Sequence, residues 1–184
     1  MRVAFVIFER MTALDFVGVY DPVTRLRTML FRPDLTWDIC GLTEEARDPN
    51  GLKFSATRVA APLTGYDLII VPGGYGTREL MEDAQFIDWL RTAADCELKA
   101  SVCTGSLLFG AAGFLRGKRA ATHPTSRAEL EKFCEVSAER VVDEGDVVTA
   151  GGVTAAIDLG LHLCGRLAGL EAREKIRRQM DYLQ

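Results

Sequence analysis

Two uninterrupted apolar runs, Val-Ala-Phe-Val-Ile-Phe at residues 3–8 and Leu-Ile-Ile-Val at residues 68–71, limit the folds open to this chain more than any other feature. A strand with one wet face alternates apolar and polar side chains, whereas these runs must be covered on both faces, as in the middle of a parallel sheet. They predict strands over residues 2–8 and 67–71. The sequence around them supplies helices as cover. Thr12 is placed to cap a helix bearing Leu14, Val17, Tyr20, Val23, Leu26 and Leu30, which Pro22 is expected to bend or interrupt. Residues 36–42 read as a second strand, and Asp48-Pro-Asn-Gly51 has the turn chemistry to join two short antiparallel strands ending near Val59. A helix with Phe86, Leu90 and Ala93 on one face follows the second apolar run. Further strands are expected at 98–102, 119–122 and 140–149. Further helices are expected at 107–115, at 126–133, from Gly151-Gly152 to about 167, and at 171–182. Strands alternating with helices define an α/β, doubly wound, mostly parallel sheet flanked by helices, with a small antiparallel hairpin beside it.

With 184 residues, 48% of them hydrophobic and 26% charged, the chain can bury one core, and residues 1–184 are read as a single domain. Lys and Arg total 22 against 26 Asp and Glu, a net charge of -4 that leaves no excess cation for a phosphate backbone. Nucleic acid is therefore not an expected partner. The first apolar run closes on Glu9 with no cleavage site behind it, so no export signal is expected. The longest uncharged stretch, residues 100–115, contains Ser101, Thr104, Ser106 and three glycines. It falls short of the roughly 20 apolar residues that a spanning helix needs, and no membrane contact is expected. Five cysteines (Cys40, Cys96, Cys103, Cys134 and Cys164) are an odd, scattered set without C-x-x-C or zinc-finger spacing. That pattern implies free thiols in a reducing, cytoplasmic setting, with no metal site.

Ligands of open α/β sheets collect beyond the carboxyl ends of the strands, so the residues just after each apolar run are the candidates. Cys103 ends a strand within Ser101-Val-Cys-Thr-Gly105, where small residues two before and two after it permit the sharp strand-to-helix turn of a nucleophile elbow. The start of a helix there is expected to favour the thiolate and lower the thiol pKa. A small packed hydrophobe is the alternative, and it is the reading given to the other four cysteines. Gly73-Gly74 follows another strand, and the amides of Gly74 and Thr104 are candidate donors to an anionic intermediate. No G-K-[ST] follows, so this is not a phosphate loop. Asp15, shortly after the first strand, either completes a capping box with Thr12 or stands near the thiol as general acid and base, its pKa raised by burial and like charge. His123, held extended by Pro124, is a candidate base beside Cys103 or a structural histidine. His162 is assigned to packing or the surface, and Asp158 to a hydrogen-bonded structural carboxylate.

Taken together, Val71-Pro-Gly-Gly74, Ser101-Val-Cys-Thr-Gly-Ser106, Ala121-Thr-His-Pro124 and Gly151-Gly-Val-Thr-Ala-Ala-Ile-Asp158 resemble the ThiJ/PfpI superfamily over nearly the whole chain. That resemblance implies a flavodoxin-like sheet related to the class I glutamine amidotransferases, and a homodimer. Aspartate in Leu14-Asp15-Phe-Val-Gly18, with Ser-Val-Cys-Thr-Gly-Ser, is similar to the isocyanide hydratase branch. The branch implies Cys103 as nucleophile, Asp15 as acid and base and Thr104 as the residue after the nucleophile. Its reaction would convert an isocyanide, a small-molecule substrate, into an N-substituted formamide through a thioimidate, with no cofactor. Two other activities of the superfamily fit the same motifs: glyoxalase or deglycase chemistry on α-oxoaldehydes, in which His123 would matter more, and a non-catalytic redox sensor or stress-response chaperone. Sensor domains of AraC-like regulators share the elbow but continue into a helix-turn-helix, for which no room is expected here.

Overall fold

The computed structural model describes residues 1–182. From the N-terminus, β1 (Arg2–Val6) leads through α1 (Ala13–Thr28) to β2 (Thr36–Gly41), followed by β3 (Glu45–Arg47), β4 (Lys53–Ser55) and a short β5 (Arg58–Val59). Next, β6 (Leu68–Val71) is followed by α2 (Thr77–Leu80) and α3 (Ala84–Arg91), and β7 (Leu98–Val102) by α4 (Gly105–Ala112). An outlying unit of β8 (Arg119–Ala120), α5 (Arg127–Leu130) and β9 (Glu135–Val136) precedes β10 (Val141–Asp143), β11 (Val147–Ala150) and the long α6 (Ala155–Gln179).

The main sheet has the order β10-β11-β7-β6-β1-β2-β5, parallel throughout except where β10 meets β11. Its five central strands are therefore wound as in flavodoxins, and the direction of winding reverses between β1 and β6. Right-handed crossovers place α1 on one face and α3 and α4 on the other. α6 packs along α1. All of β6 and β7, and Val3 to Val6 of β1, are buried, as continuous apolar runs require. Each such Val, Leu, Ile or Phe contributes roughly 1.5–3 kcal/mol by leaving water, which is why the central strands lie here and cannot serve as edges.

Several elements differ from expectation. In α1 the buried face is Asp15, Phe16, Gly18, Val19, Pro22, Val23 and Leu26, while Leu14 and Val17 are 42% and 44% exposed. A stripe read at every third residue slips back by about 60° per step on a helix of 3.6 residues per turn, so it cannot remain on one face. Pro22 does not interrupt α1, whose length it shares with a close neighbour: a Cβ at Gly160 of α6 would lie 2.3 Å from the proline ring. The hairpin around Asp48 is β3 with β4, but residues 58–59 leave it and join the sheet edge beside β2. Residues 140–149 are two antiparallel strands, because Asp143 accepts from the Gly145 amide at 2.9 Å and turns the chain. The expected helix at 126–133 is only the single turn of α5, and the expected strand at 119–122 only β8. α6 carries the expected break near residue 170 as a non-helical Gly169.

Candidate active site

Cys103 follows β7 directly and takes φ = 55°, a left-handed conformation that costs an L-residue about 1–2 kcal/mol. Its N–H is shared between the carbonyls of Ala150 and Gly151, each at 3.0 Å. Thr104 then opens α4 as its N-cap. Glycine is required next, since a Cβ at Gly105 would lie 2.6 Å from the Val71 carbonyl oxygen and 2.7 Å from that of Pro72. Gly73 answers from the opposite side, where a Cβ would stand 2.5 Å from the Thr104 nitrogen. The turn after β6 and the elbow after β7 thus meet backbone to backbone, and a side chain on either would separate them.

Asp15 comes to the same point from the first turn of α1. Thr12 makes no side-chain capping bond, and the Asp15 carboxyl is fully buried, so the capping-box alternative does not describe this residue. Its Oδ2 accepts the Gly73 N–H at 3.0 Å, while Oδ1 has no hydrogen-bond partner among the described residues. Burial raises the Asp15 pKa to about 7, against the smaller opposing effects of the Gly73 amide and the Cys103 thiol. The carboxyl is therefore held largely neutral until near neutrality, by desolvation with no cation to offset it.

The thiol departs from expectation. Burial, together with the Asp15 charge, pushes Cys103 up to about 11, outweighing hydrogen bonds from the Thr104 and Val153 amides and the Thr104 side chain. One helix terminus does not overcome the loss of water around a sulfur that is only 5% exposed. The Asp15 charge raises the thiol while the thiol's hydrogen bond lowers the carboxyl, so the two titrate as a pair. Between the two values the pair holds a single proton, and whichever atom carries it, the other is an anion facing it.

The remaining predicted residues fall around this pair in different ways. The Thr104 amide meets the sulfur, as does the Val153 amide, which sequence reasoning missed. Val153 has φ = 32°, unusual for a β-branched residue, and its signal was the Gly151-Gly152 pair that lets the chain turn before α6. The Gly74 amide is not free as expected: it donates to Thr104 Oγ1 at 2.9 Å, and that hydroxyl donates back to the Gly74 carbonyl at 3.1 Å. His123 lines the same cavity as Cys103, but its Nδ1 is engaged by Thr125, with Oγ1 at 2.8 Å and the amide nitrogen at 3.3 Å. It makes no hydrogen bond to the sulfur. The cavity, about 210 Å³, is bordered by Thr12, Tyr75, Arg78, Thr125 and Val153, of which Tyr75 and Arg78 carried no sequence signal. Away from it, Asp158 binds Arg140 and the Tyr182 hydroxyl, and His162 pairs with Asp143 at 2.6 Å. Asp158 is thus a hydrogen-bonded carboxylate, as expected, and His162 is half-buried. Among the described residues no group of His, Cys, Asp and Glu is arranged to hold a metal, and no helix is long and apolar enough to cross a membrane.

A flavodoxin-like sheet with a strained cysteine at one strand end, a buried acid from the preceding crossover and a Pro-Gly-Gly turn between them defines a class of α/β proteins built around a cysteine elbow. Residues 1–165 match the DJ-1/PfpI family, and the chain belongs to it. It is 36% identical to an isonitrile hydratase of Pseudomonas putida over 185 residues, covering 99% of this chain and 78% of that protein. A ThiJ/PfpI family protein from Pseudomonas syringae superposes with a TM-score of 0.90 at 26% identity, over 100% of this chain and 75% of that one. DJ-1beta of Drosophila melanogaster shares the fold at a TM-score of 0.85 and 18% identity, over 100% of this chain and 98% of its own.

Proposed function

We propose that this protein hydrates small isocyanides to N-substituted formamides, with Cys103 as nucleophile and Asp15 as the group that gives and takes the proton. The observation that carries the reading is the fully buried Asp15 carboxyl beside the Cys103 thiol, two acids that no cation compensates. The terminal carbon of an isocyanide accepts a nucleophile and a proton at the same atom, which is what such a pair delivers. With the proton on Asp15, the thiolate bonds to that carbon, and Asp15 protonates the same carbon to leave a neutral thioimidate, R–N=CH–S–Cys103. Asp15, now a carboxylate, takes a proton from water as the hydroxide adds to that carbon and passes it to the nitrogen, giving R–NH–CH(OH)–S–Cys103. Collapse of the tetrahedral adduct breaks the C–S bond, releases R–NH–CHO, and returns one proton to the Asp15–Cys103 pair. Amides of Thr104 and Val153 stabilise the sulfur while it is anionic.

A cavity of about 210 Å³ suits a small substituent. The similarity to an isonitrile hydratase supports the substrate class. An α-oxoaldehyde would ask more of His123, whose ring is turned to Thr125. The proposal includes a homodimer, which the exposed Leu14 and Val17 on the outer face of α1 support, and requires no cofactor. The test is a panel of aliphatic isocyanides and α-oxoaldehydes given to wild type and Cys103→Ala, with formamide and lactate followed by NMR. Formamide from the wild type alone supports the reading; lactate alone, or formamide that survives Cys103→Ala, overturns it.

A further inference from the structure

The strained peptide at Cys103 is held on its carbonyl side by two hydroxyls that the proposed chemistry does not use. Ser106 Oγ, in the first turn of α4, donates to the Cys103 carbonyl oxygen at 3.1 Å, and Thr122 Oγ1 donates to the same oxygen at 3.0 Å. Both side chains are buried. Among the described residues no backbone N–H reaches this oxygen, since the nearby Leu107 amide is committed to the Thr104 carbonyl. Thr122 is in turn placed from the sheet, because the Ala121 N–H donates to Thr149 Oγ1 of β11 at 2.7 Å. The nucleophile's peptide is thus tied forward to α4 and sideways to β11.

We propose that Ser106 and Thr122 are positioning residues, whose hydroxyls hold the Cys103 peptide in its left-handed conformation and so aim the sulfur at Asp15 and at the Thr104 and Val153 amides. A left-handed non-glycine residue costs about as much as one or two neutral hydrogen bonds contribute, so a clamp of this size decides whether the elbow stays strained or relaxes. Relaxation would carry the sulfur away from the carboxyl whose proton it shares. The proposal rests on Cys103 being the reacting sulfur, as in the reading above, and not on which substrate it attacks.

The experiment measures isocyanide hydration, together with the pH profile of Cys103 alkylation by iodoacetamide read by mass spectrometry, in Ser106→Ala, Thr122→Val and Thr122→Ser. Each is also made in an Asp15→Asn background. Removal of either hydroxyl is expected to lower kcat about 5-fold with little change in KM, and Thr122→Ser to restore most of it. In the alkylation arm, Asp15→Asn is expected to shift the wild-type profile and to shift the Thr122→Val profile by less than half as much, because the two groups no longer face one another. An equal shift in both backgrounds, or wild-type kcat in Thr122→Val, overturns the proposal. Should Thr122→Val fail to fold, as judged by its melting curve, Ser106→Ala carries the same comparison. Wild-type protein that hydrates no isocyanide sinks the substrate reading alone, since the alkylation arm still decides the clamp.

Discussion

Cys103 and Cys164 are both buried thiols, and burial pushes both above the ordinary thiol, to about 11 and about 12. What each sulfur meets is different in kind. Cys164 lies within regular helix α6, and its thiol donates to the Pro22 carbonyl at 3.2 Å across the contact with α1. A thiolate there would face a carbonyl lone pair, with only its own backbone amide to receive it. Cys103 has a strained backbone, two amide hydrogens and a carboxyl able to hold the displaced proton. Depth therefore does not distinguish these two cysteines; the groups awaiting each sulfur after it loses its proton do.

The largest expected effect follows from that contrast. Cys103→Ala should reduce formamide production to background, while iodoacetamide labels Cys103 in the folded wild type and reaches Cys164 only on unfolding. Equal labelling of the two in native protein would break the comparison. Next, Asp15→Asn should lower kcat by about 10²–10⁴, the range for a lost general acid and base. It should also remove the rise of kcat/KM through about pH 7, where Asp15 and Cys103 come to share one proton.

The same substitution has an opposite consequence for stability. Asp15 keeps its proton to about pH 7 when folded, against the ordinary 3.8 of an aspartate in the unfolded chain. Folded protein therefore binds more protons between those values, and stability falls as pH rises through that window. Asp15→Asn carries no such penalty, so its Tm should exceed that of wild type at pH 8 and converge with it below about pH 4. The gap is on the order of 4 kcal/mol at most. Identical melting curves at pH 8 would show that the carboxyl is better solvated than its burial implies.

The division between what the sequence disclosed and what it hid follows from locality. Cys103 and the sheet were legible because each is written in adjacent residues: an apolar run needs cover on both faces, and small residues around a cysteine permit a sharp turn. Asp15 was open between two roles because spacing from Thr12 fits a capping box, and only the packing of Gly18 against α6 turns that face of α1 inward. The thiol's raised pKa was hidden for a related reason. A helix start can be read locally, but desolvation depends on everything the fold lays over the sulfur. Val153 escaped because its contribution is a backbone amide brought from about fifty residues away, and amides leave no mark in a side-chain pattern.

Two smaller effects sharpen the contrast at its margins. His123→Gln should lower isocyanide hydration less than about 10-fold, since Thr125 and not the sulfur engages Nδ1, whereas loss on the scale of Asp15→Asn would make the histidine a base after all. Cys164→Ala is expected to do least. It removes a sulfur from the α1–α6 contact and leaves the Pro22 carbonyl without its thiol donor, which should cost about 1 kcal/mol in urea melts. Activity should be unchanged, because nothing at that end of α6 touches the cavity. A drop in kcat without a drop in stability would mean that the α1–α6 contact transmits its packing to Asp15, and that the two cysteines are less independent than their surroundings suggest.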